Sequence, residues 1–262
     1  MGEWDAKCYD KFQKERIQPS VDLVNRIMIE NPKRIIDIGC GSGMSTKILA
    51  DRFKNAEIIG LDNSQSMLNK AKELKLNVEW IFKDCNESLE AFEKADIIFS
   101  NASLQWLKAQ DQVIANWFKA LNPGGIIAVQ IPLFEQMKMQ EILLEIRTKE
   151  KWRDYFKEVD AHTYHNFTPE WYYDVVSKYS DEIEMWETDY YNILNGYEAI
   201  VEFSRSTAFR PYLAALAETE LESEFIEEIF QKVKENYKLQ ADGKIAYKFK
   251  RLFIVATARK ES

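Results

Sequence analysis

One stretch, RIIDIGCGSGMST at residues 34–46, constrains this chain more than any other: an apolar run, then glycine at 39, 41 and 43, then helical periodicity. An apolar run this short reads as a buried strand, and glycines at alternate positions leave the turn after it without side chains. Such a strand–loop–helix exposes backbone at the carboxyl end of a strand, where an open α/β sheet binds its ligands. The rest of the amino-terminal half repeats the alternation. Short runs rich in Ile, Val or Phe predict strands at 34–38, 57–61, 78–82, 95–100 and 126–131, and helical patterns lie between them at 45–53, 63–74 and 110–121. Ser20 is placed to cap an earlier helix whose apolar face is Val21, Val24, Ile27 and Met28, with Asn31-Pro32-Lys33 ending it. Asn122-Pro123-Gly124-Gly125 is placed to stop the helix at 110–121 and turn the chain. Parallel strands joined by right-handed crossover helices make a sheet covered on both faces.

The second half reads differently. Residues 133–182 carry helical patterns and aromatics without strand alternation, which predicts a helical insertion or lid. A sixth strand is expected at 182–191 (EIEMWETDYY), helices over 195–216 and 221–237, and a long closing strand over 244–260. The expected organisation is one domain over 1–262, with a cofactor-binding half at 1–132, the insertion at 133–182 and a substrate side at 183–262.

Composition narrows the function. Of 262 residues, 46% are hydrophobic and 13% aromatic, ample for a packed core. A net charge of −8 disfavours nucleic acid, whose backbone needs a basic footprint, so an anionic substrate must be captured by a local group of cations. Cys8, Cys40 and Cys85 lack the close paired spacing of a zinc site, and reduced thiols and no metal are expected. The amino-terminal stretch has no continuous apolar segment, and none elsewhere approaches the roughly 18 apolar residues that span a bilayer. These points lead to the expectation of a cytoplasmic monomer that does not bind membranes.

The glycine loop admits few ligands. A phosphate-binding P-loop needs a lysine after its last glycine, and Gly43 is followed by Met44 and Ser45. A dinucleotide fingerprint needs its third glycine three positions after the second, where Met44 stands. Asp37, two residues before the first glycine, sets a carboxylate beside the loop, where a cationic or amine-bearing ligand would sit and a pyrophosphate would be repelled. Taken alone, the loop is as readily a plain turn, and an Asp at a strand end a helix cap.

Asp37, Gly39, Cys40, Gly41 and Gly43 together resemble the D/E-x-G-x-G-x-G motif of class I S-adenosylmethionine-dependent methyltransferases. The resemblance implies a Rossmann-like fold, a seven-stranded, mostly parallel sheet with an antiparallel last strand, and S-adenosylmethionine as cofactor. It further implies that Asp62, with Asn63 beside it, accepts the ribose hydroxyls and that Met67 packs on the adenine. Asp84 would receive the adenine amino group with Cys85 supplying backbone contact, and Asn101 and Ala102 would line the methionine moiety.

Beyond the cofactor half, SNASLQWL at 100–107, MWETDYY at 185–191, VEFSRSTAFRPYLAAL at 201–216, KFKRLFIVATARK at 248–260 and the opening WDAKCYDKFQKERIQPSVDL resemble trans-aconitate methyltransferases. LKAQDQ after Trp106 and QIPLFEQM depart from that family's pattern. The resemblance implies a small carboxylic acid as methyl acceptor, with Trp4, Tyr9, Arg16, Gln105, Trp106, Gln130, Tyr190, Tyr191, Arg205, Arg210 and Arg251 as acceptor contacts. Charge agrees with it, because Arg205, Arg210 and Arg251 stand in apolar segments where an unpartnered charge is costly, and guanidinium groups hold carboxylates bidentately. Each of these arginines can equally pair with a neighbouring Glu. Arg210 precedes Pro211, which biases it toward a loop rather than a helix.

A carboxylate is ionised at neutral pH, so its methylation needs no general base, and no catalytic side chain is assigned. His162 and His165, the only histidines, are expected in surface or structural roles. Two alternatives stay open: a methyltransferase for another small acid or a malonyl thioester, and a non-catalytic module that binds S-adenosylmethionine.

Overall fold

Ile, Leu and Val crowd the positions where strands must be buried on both faces, and they set up the sheet on which everything else is placed. The computed structural model describes residues 13–159, 167–205 and 207–260, which group into two compact units. The sheet unit comprises Arg16–Pro132, Phe167–Glu187 and Arg251–Ser262; the helical unit comprises Met1–Glu15, Leu133–Asn166 and Thr188–Lys250.

In chain order the first half runs α1 (Gln13–Arg26), β1 (Arg34–Ile38), α2 (Met44–Arg52), β2 (Glu57–Asp62), α3 (Gln65–Glu73), β3 (Glu79–Phe82), β4 (Ala95–Asn101), a 3-10 turn (Leu104–Trp106), α4 (Gln110–Ala120) and β5 (Leu121–Pro132). The second half runs α5 (Lys138–Arg147), α6 (Glu150–Phe156), α7 (Pro169–Val176), β6 (Glu182–Leu194), α8 (Gly196–Arg205), α9 (Arg210–Leu216), α10 (Glu222–Asn236) and β7 (Ile245–Thr257). Of the stretch expected as one helical insertion, α5 and α6 fall in the helical unit and α7 in the sheet unit.

The strands order as β3-β2-β1-β4-β5-β7-β6, with β7 alone antiparallel, the Rossmann-like arrangement the sequence led us to expect. Strand order reverses between β1 and β4, and open α/β sheets bind their ligands at the carboxyl ends of the strands at such a switch point. Register decides which side chains share a face. Asp37 pairs with Gly60 and Phe99, Asn101 with Gln130, and Pro132 with Arg251, so Asp62, Asp37, Asn101, Gln130 and Arg251 all project to one side of the sheet.

Four local expectations change. Ser20 does not start the first helix: it is buried inside α1, whose inner side is Ser20, Leu23 and Val24, while Met28 lies past its end and is 82% exposed. The helix ends at Arg26, before Asn31-Pro32-Lys33, and the Arg52 guanidinium donates to the Val24 and Ile27 carbonyls around that end. Asn122-Pro123-Gly124-Gly125 lies inside β5, not before it. Ala95 pairs with Leu121 and Ile97 with Ile126, so those four residues bulge out while β4 advances past Asp96 alone, and Asn122 Nδ2 donates to Asp96 Oδ1 at 2.8 Å. Finally, Arg210 begins α9 instead of lying in a loop, because Pro211 falls in the first turn, where its missing N–H costs no hydrogen bond. The connection at 83–94 contains no helix and is anchored by Leu89, 1% exposed.

The helical unit is filled by rings. Trp152 stacks on Phe156 at 5.7 Å, and Phe156, Tyr212 and Phe225 meet one another at 5.0 to 5.8 Å. Among the described residues no helix is long and apolar enough to cross a membrane.

Candidate active site

The glycine loop closes on its own protein at one end and opens at the other. Gly39 has φ +68°, and a Cβ there would fall 1.9 Å from Ser103 Oγ; Gly41 has φ +54°, and a Cβ there would meet nothing within 4 Å. Gly39 is therefore required by packing and Gly41 by backbone torsion alone, with empty space in front of it for a ligand. The loop is tied to β2, since Cys40 N–H donates to the Leu61 carbonyl at 2.9 Å and Gly41 N–H to Asp62 Oδ2 at 2.8 Å.

Asp37 is 0% exposed. Its Oδ2 accepts from Thr46 Oγ1 at 2.6 Å and Ser45 Oγ at 3.2 Å, both in the first turn of α2, while Oδ1 is buried without a hydrogen-bond partner. Burial pushes the carboxyl up to about 7; the two hydroxyls pull the other way, and the like charge of Asp62 adds to the rise. Asp62 is also raised by burial, against the N–H groups of Gly41, Ser64 and Asn63 that favour its charge. Its Oδ1 accepts from Ser64 N–H at 2.8 Å, so both oxygens of the carboxylate are held by backbone donors. Cys40 and Cys85 are buried free thiols, both raised by burial, Cys85 to about 12, so both are neutral at physiological pH.

Further along the carboxyl edge, Met67 is 4% exposed on α3, Asn63 is exposed, and Asp84 is exposed with Oδ1 accepting from the backbone and side-chain amides of Asn86 at 2.9 and 2.8 Å. At the end of β4, Ala102 holds φ +54°, a left-handed torsion that is uncommon for a residue with a Cβ. It is clamped from both sides: its N–H donates to the Gln130 carbonyl at 2.9 Å, and its carbonyl accepts from Gln105 Nε2 at 2.8 Å. Arg251, 6% exposed on β7, donates from Nη1 to Gln130 Oε1 at 3.1 Å. Trp106 is half-buried in the 3-10 turn.

The structure thus brings Asp37, the glycine loop, Asp62, Asn101, Ala102, Gln105, Gln130 and Arg251 to the carboxyl ends of neighbouring strands. Four other expected acceptor contacts belong to the helical unit: Tyr190 is half-buried and Tyr191 59% exposed on β6, Arg210 is half-buried, and Arg205 ion-pairs with Glu222 across an exposed face. Trp4, Tyr9, His162 and His165 lie outside the described residues, as does the side chain of Arg16. Sequence reasoning missed Thr46 and Ser45 as partners of Asp37; two hydroxyls opening the helix after a glycine loop were the available signal. It also missed Ser103, which occupies the space a side chain at position 39 would take.

This arrangement fits S-adenosylmethionine. Buried acceptors without partners at Asp37 Oδ1 and Asn101 Oδ1 suit an ammonium and a sulfonium, and the open face of Gly41 leaves room beside them. Among the described residues no group of acidic, histidine or cysteine side chains could hold a metal ion.

Comparison with known proteins agrees. The Methyltransferase domain family matches residues 29–196. The chain is 34% identical over 256 residues to trans-aconitate 2-methyltransferase of Acidovorax ebreus (strain TPSY), covering 98% of each, and 32% identical over 260 residues to that of Yersinia pestis (strain Pestoides F), covering 99% of this chain and 100% of the relative. Among solved structures, the YcgJ protein of Bacillus subtilis superposes with a TM-score of 0.61 at 13% identity, covering 93% of this chain and 99% of that one. Phosphoethanolamine N-methyltransferase 2 of Haemonchus contortus, solved with S-adenosyl-L-methionine, gives 0.54 at 19% identity over 93% of this chain and 52% of that one. The two solved structures share the fold.

Proposed function

The chain belongs to the methyltransferase domain family as an S-adenosylmethionine-dependent enzyme, and from that premise we propose that it forms a methyl ester on a carboxylate of a small polycarboxylic acid, trans-aconitate being the acceptor. The observation that carries this reading is Arg251: a guanidinium 6% exposed, in a chain of net charge −8, on the same sheet face as the cofactor landmarks and against Gln130. A buried cation at such a place suits an anionic substrate, because guanidinium–carboxylate pairs are strong and directional when desolvated. The relatives named trans-aconitate 2-methyltransferase, matched over nearly their whole length, support the same choice.

S-adenosylmethionine, when bound, supplies an electrophilic methyl group on a sulfonium. In our reading the chain's own residues bind and align. Asp62 would take the ribose hydroxyls and Asp84 the adenine amino group with Cys85 beside it. Met67 would pack on the adenine, and Asp37, Asn101 and Ala102 would hold the amino-acid end. Gln130 and Arg251 hold the acceptor. Arg205 is left out, for Glu222 already supplies its anion. The acceptor oxygen is ionised without help, so the enzyme's contribution is to hold it in line with the methyl group, a proximity effect of about 7–11 kcal/mol at most.

Calorimetric titration with S-adenosylmethionine, followed by a panel of mono-, di- and tricarboxylic acids scored by S-adenosylhomocysteine release, tests the proposal. Saturable turnover is expected with trans-aconitate above the other acids. Tight cofactor binding with no turnover of any acid would point to a binding module instead, and preference for another acid or a malonyl thioester would move the acceptor.

A further inference from the structure

The two ends of a side-chain amide can be told apart when the partner of one end is unambiguous. Gln130, 0% exposed on β5, turns Oε1 to the Arg251 guanidinium, which can only donate; its Nε2 therefore faces away, and it is buried with no hydrogen-bond partner. Gln105, 2% exposed in the 3-10 turn after β4, is set in the opposite sense. Its Nε2 donates to the Ala102 carbonyl, which can only accept, and Oε1 is the buried end left without a partner. Asn101 Oδ1 and Asp37 Oδ1 share that condition. A row of free acceptors on β1 and at the end of β4 thus gives way to a free donor on β5, the next strand over. A buried polar group is not left unsatisfied without cause, so each of these ends awaits a group of the opposite hydrogen-bonding sense.

We propose that Gln105 and Gln130 are an oriented amide pair that sorts charge within the site: Gln105, with Asn101, receives the cofactor's α-ammonium, and Gln130 gives its amide hydrogens to a carboxylate of the methyl acceptor. This rests on the methyltransferase reading above and adds to it the basis of discrimination. Arg251 is then a positioning residue for Gln130, fixing which end of the amide the acceptor meets. An acceptor that ends in an amine or other donor group meets a donor there and is rejected, whereas a carboxylate is accommodated.

Four variants decide it, with S-adenosylhomocysteine affinity read by calorimetry and acceptor KM by product release. Gln130→Met should raise the acceptor KM about tenfold, the scale of one buried hydrogen bond to a charged group, and leave S-adenosylhomocysteine affinity within about twofold. Gln105→Met should show the reverse split. Gln130→Glu keeps a partner for Arg251 while setting an anion against the acceptor, and saturation by carboxylates should be lost. Gln105→Glu retains an acceptor but loses the donor to Ala102, so it should bind S-adenosylhomocysteine more tightly than Gln105→Met. Equal weakness of those two variants would reduce Gln105 to a strut for Ala102 and overturn the sorting. So would loss of S-adenosylhomocysteine affinity in Gln130→Met. If the wild-type chain methylates no carboxylic acid, the proposed function falls separately, and the amide pair is judged on the S-adenosylhomocysteine affinities alone.

Discussion

The central strands of the sheet unit bury Ile35, Ile36, Ile38, Ile97 and Ile98, with Phe99, Trp117, Tyr172 and Phe253 as separate buried rings, whereas the helical unit is filled by a cluster of rings from Trp152, Phe156, Phe203, Phe209, Tyr212 and Phe225. Their polar interiors differ as well. In the sheet unit Asp37 Oδ1, Ser100 Oγ, Asn101 Oδ1, Gln105 Oε1 and Gln130 Nε2 are buried without hydrogen-bond partners; in the helical unit the Arg147 guanidinium lies against the buried Tyr212 hydroxyl. Arg147 is otherwise spent on the chain itself, donating to the Phe156 and Val159 carbonyls at 3.0 and 2.9 Å. The helical unit satisfies its charges with one another, as in the Lys149–Glu228 and Lys232–Glu145 pairs at 2.6 and 2.7 Å. One unit is packed for its own stability; the other holds atoms of Asp37, Asn101, Gln105 and Gln130 open where a ligand can complete them.

That contrast can be broken by mutation. The largest effect is expected at Trp152, 0% exposed, with Nε1 donating to Glu228: Trp152→Ala should cost about 3–5 kcal/mol in denaturant unfolding, and a loss under about 1 kcal/mol would mean the ring cluster is not the unit's core. Next comes the loop. Gly41→Ala should cost only about 1–2 kcal/mol of stability, for its left-handed torsion, yet weaken S-adenosylmethionine binding at least about tenfold. Gly39→Ala should lose more stability than Gly41→Ala, because its Cβ would strike Ser103; the opposite order would mean that the two glycines have exchanged roles.

Acidity separates the units further. The Asp37 carboxyl is raised to about 7 in the folded chain, from an ordinary value near 4 when unfolded, so between those two values the folded state holds the extra proton. Its stabilising contribution is therefore complete below about pH 4 and lost as pH rises to about 7. Asp37→Asn should remove that part of the slope, measured as urea midpoints at acid and neutral pH, and an unchanged slope would place the titration elsewhere. Wild-type affinity for the cationic cofactor should rise over the same interval. The smallest effect is expected at Ser100, 0% exposed with Oγ unpartnered: Ser100→Ala should be neutral or stabilising by up to about 1 kcal/mol, whereas a clear loss would reveal a partner for that hydroxyl.

Much of this was legible beforehand, and the reasons differ by element. Strands β1, β2, β4 and β5 announce themselves as short Ile- and Val-rich runs because burial on both faces leaves no room for polar alternation. The glycine loop and the acids at positions 37, 62 and 84 could be read because their spacing along the chain is also their order along the sheet edge. Ser20 misled because a capping side chain is a local signal, and in the structure Ser20 is buried inside α1, seven residues past Gln13. The tetrad at 122–125 misled because turn chemistry serves a bulge as well as a turn, and only the pairing of β4 with β5 distinguishes them. Arg205 looked like a ligand for an anion; Glu222, seventeen residues on, was already that anion.

By itself the sequence determined the succession of strands and helices, the side-chain-free loop and the acids that flank it, since each depends on neighbours within a few residues. Only the tertiary structure decided which glycine faces open space, which carboxylate oxygen Thr46 and Ser45 leave free, and which end of each glutamine amide is presented. Those choices are made by partners distant along the chain, Arg251 lying 121 residues from the Gln130 whose amide it orients. Hydrogen-bond direction, unlike periodicity, exists only once both partners are in place.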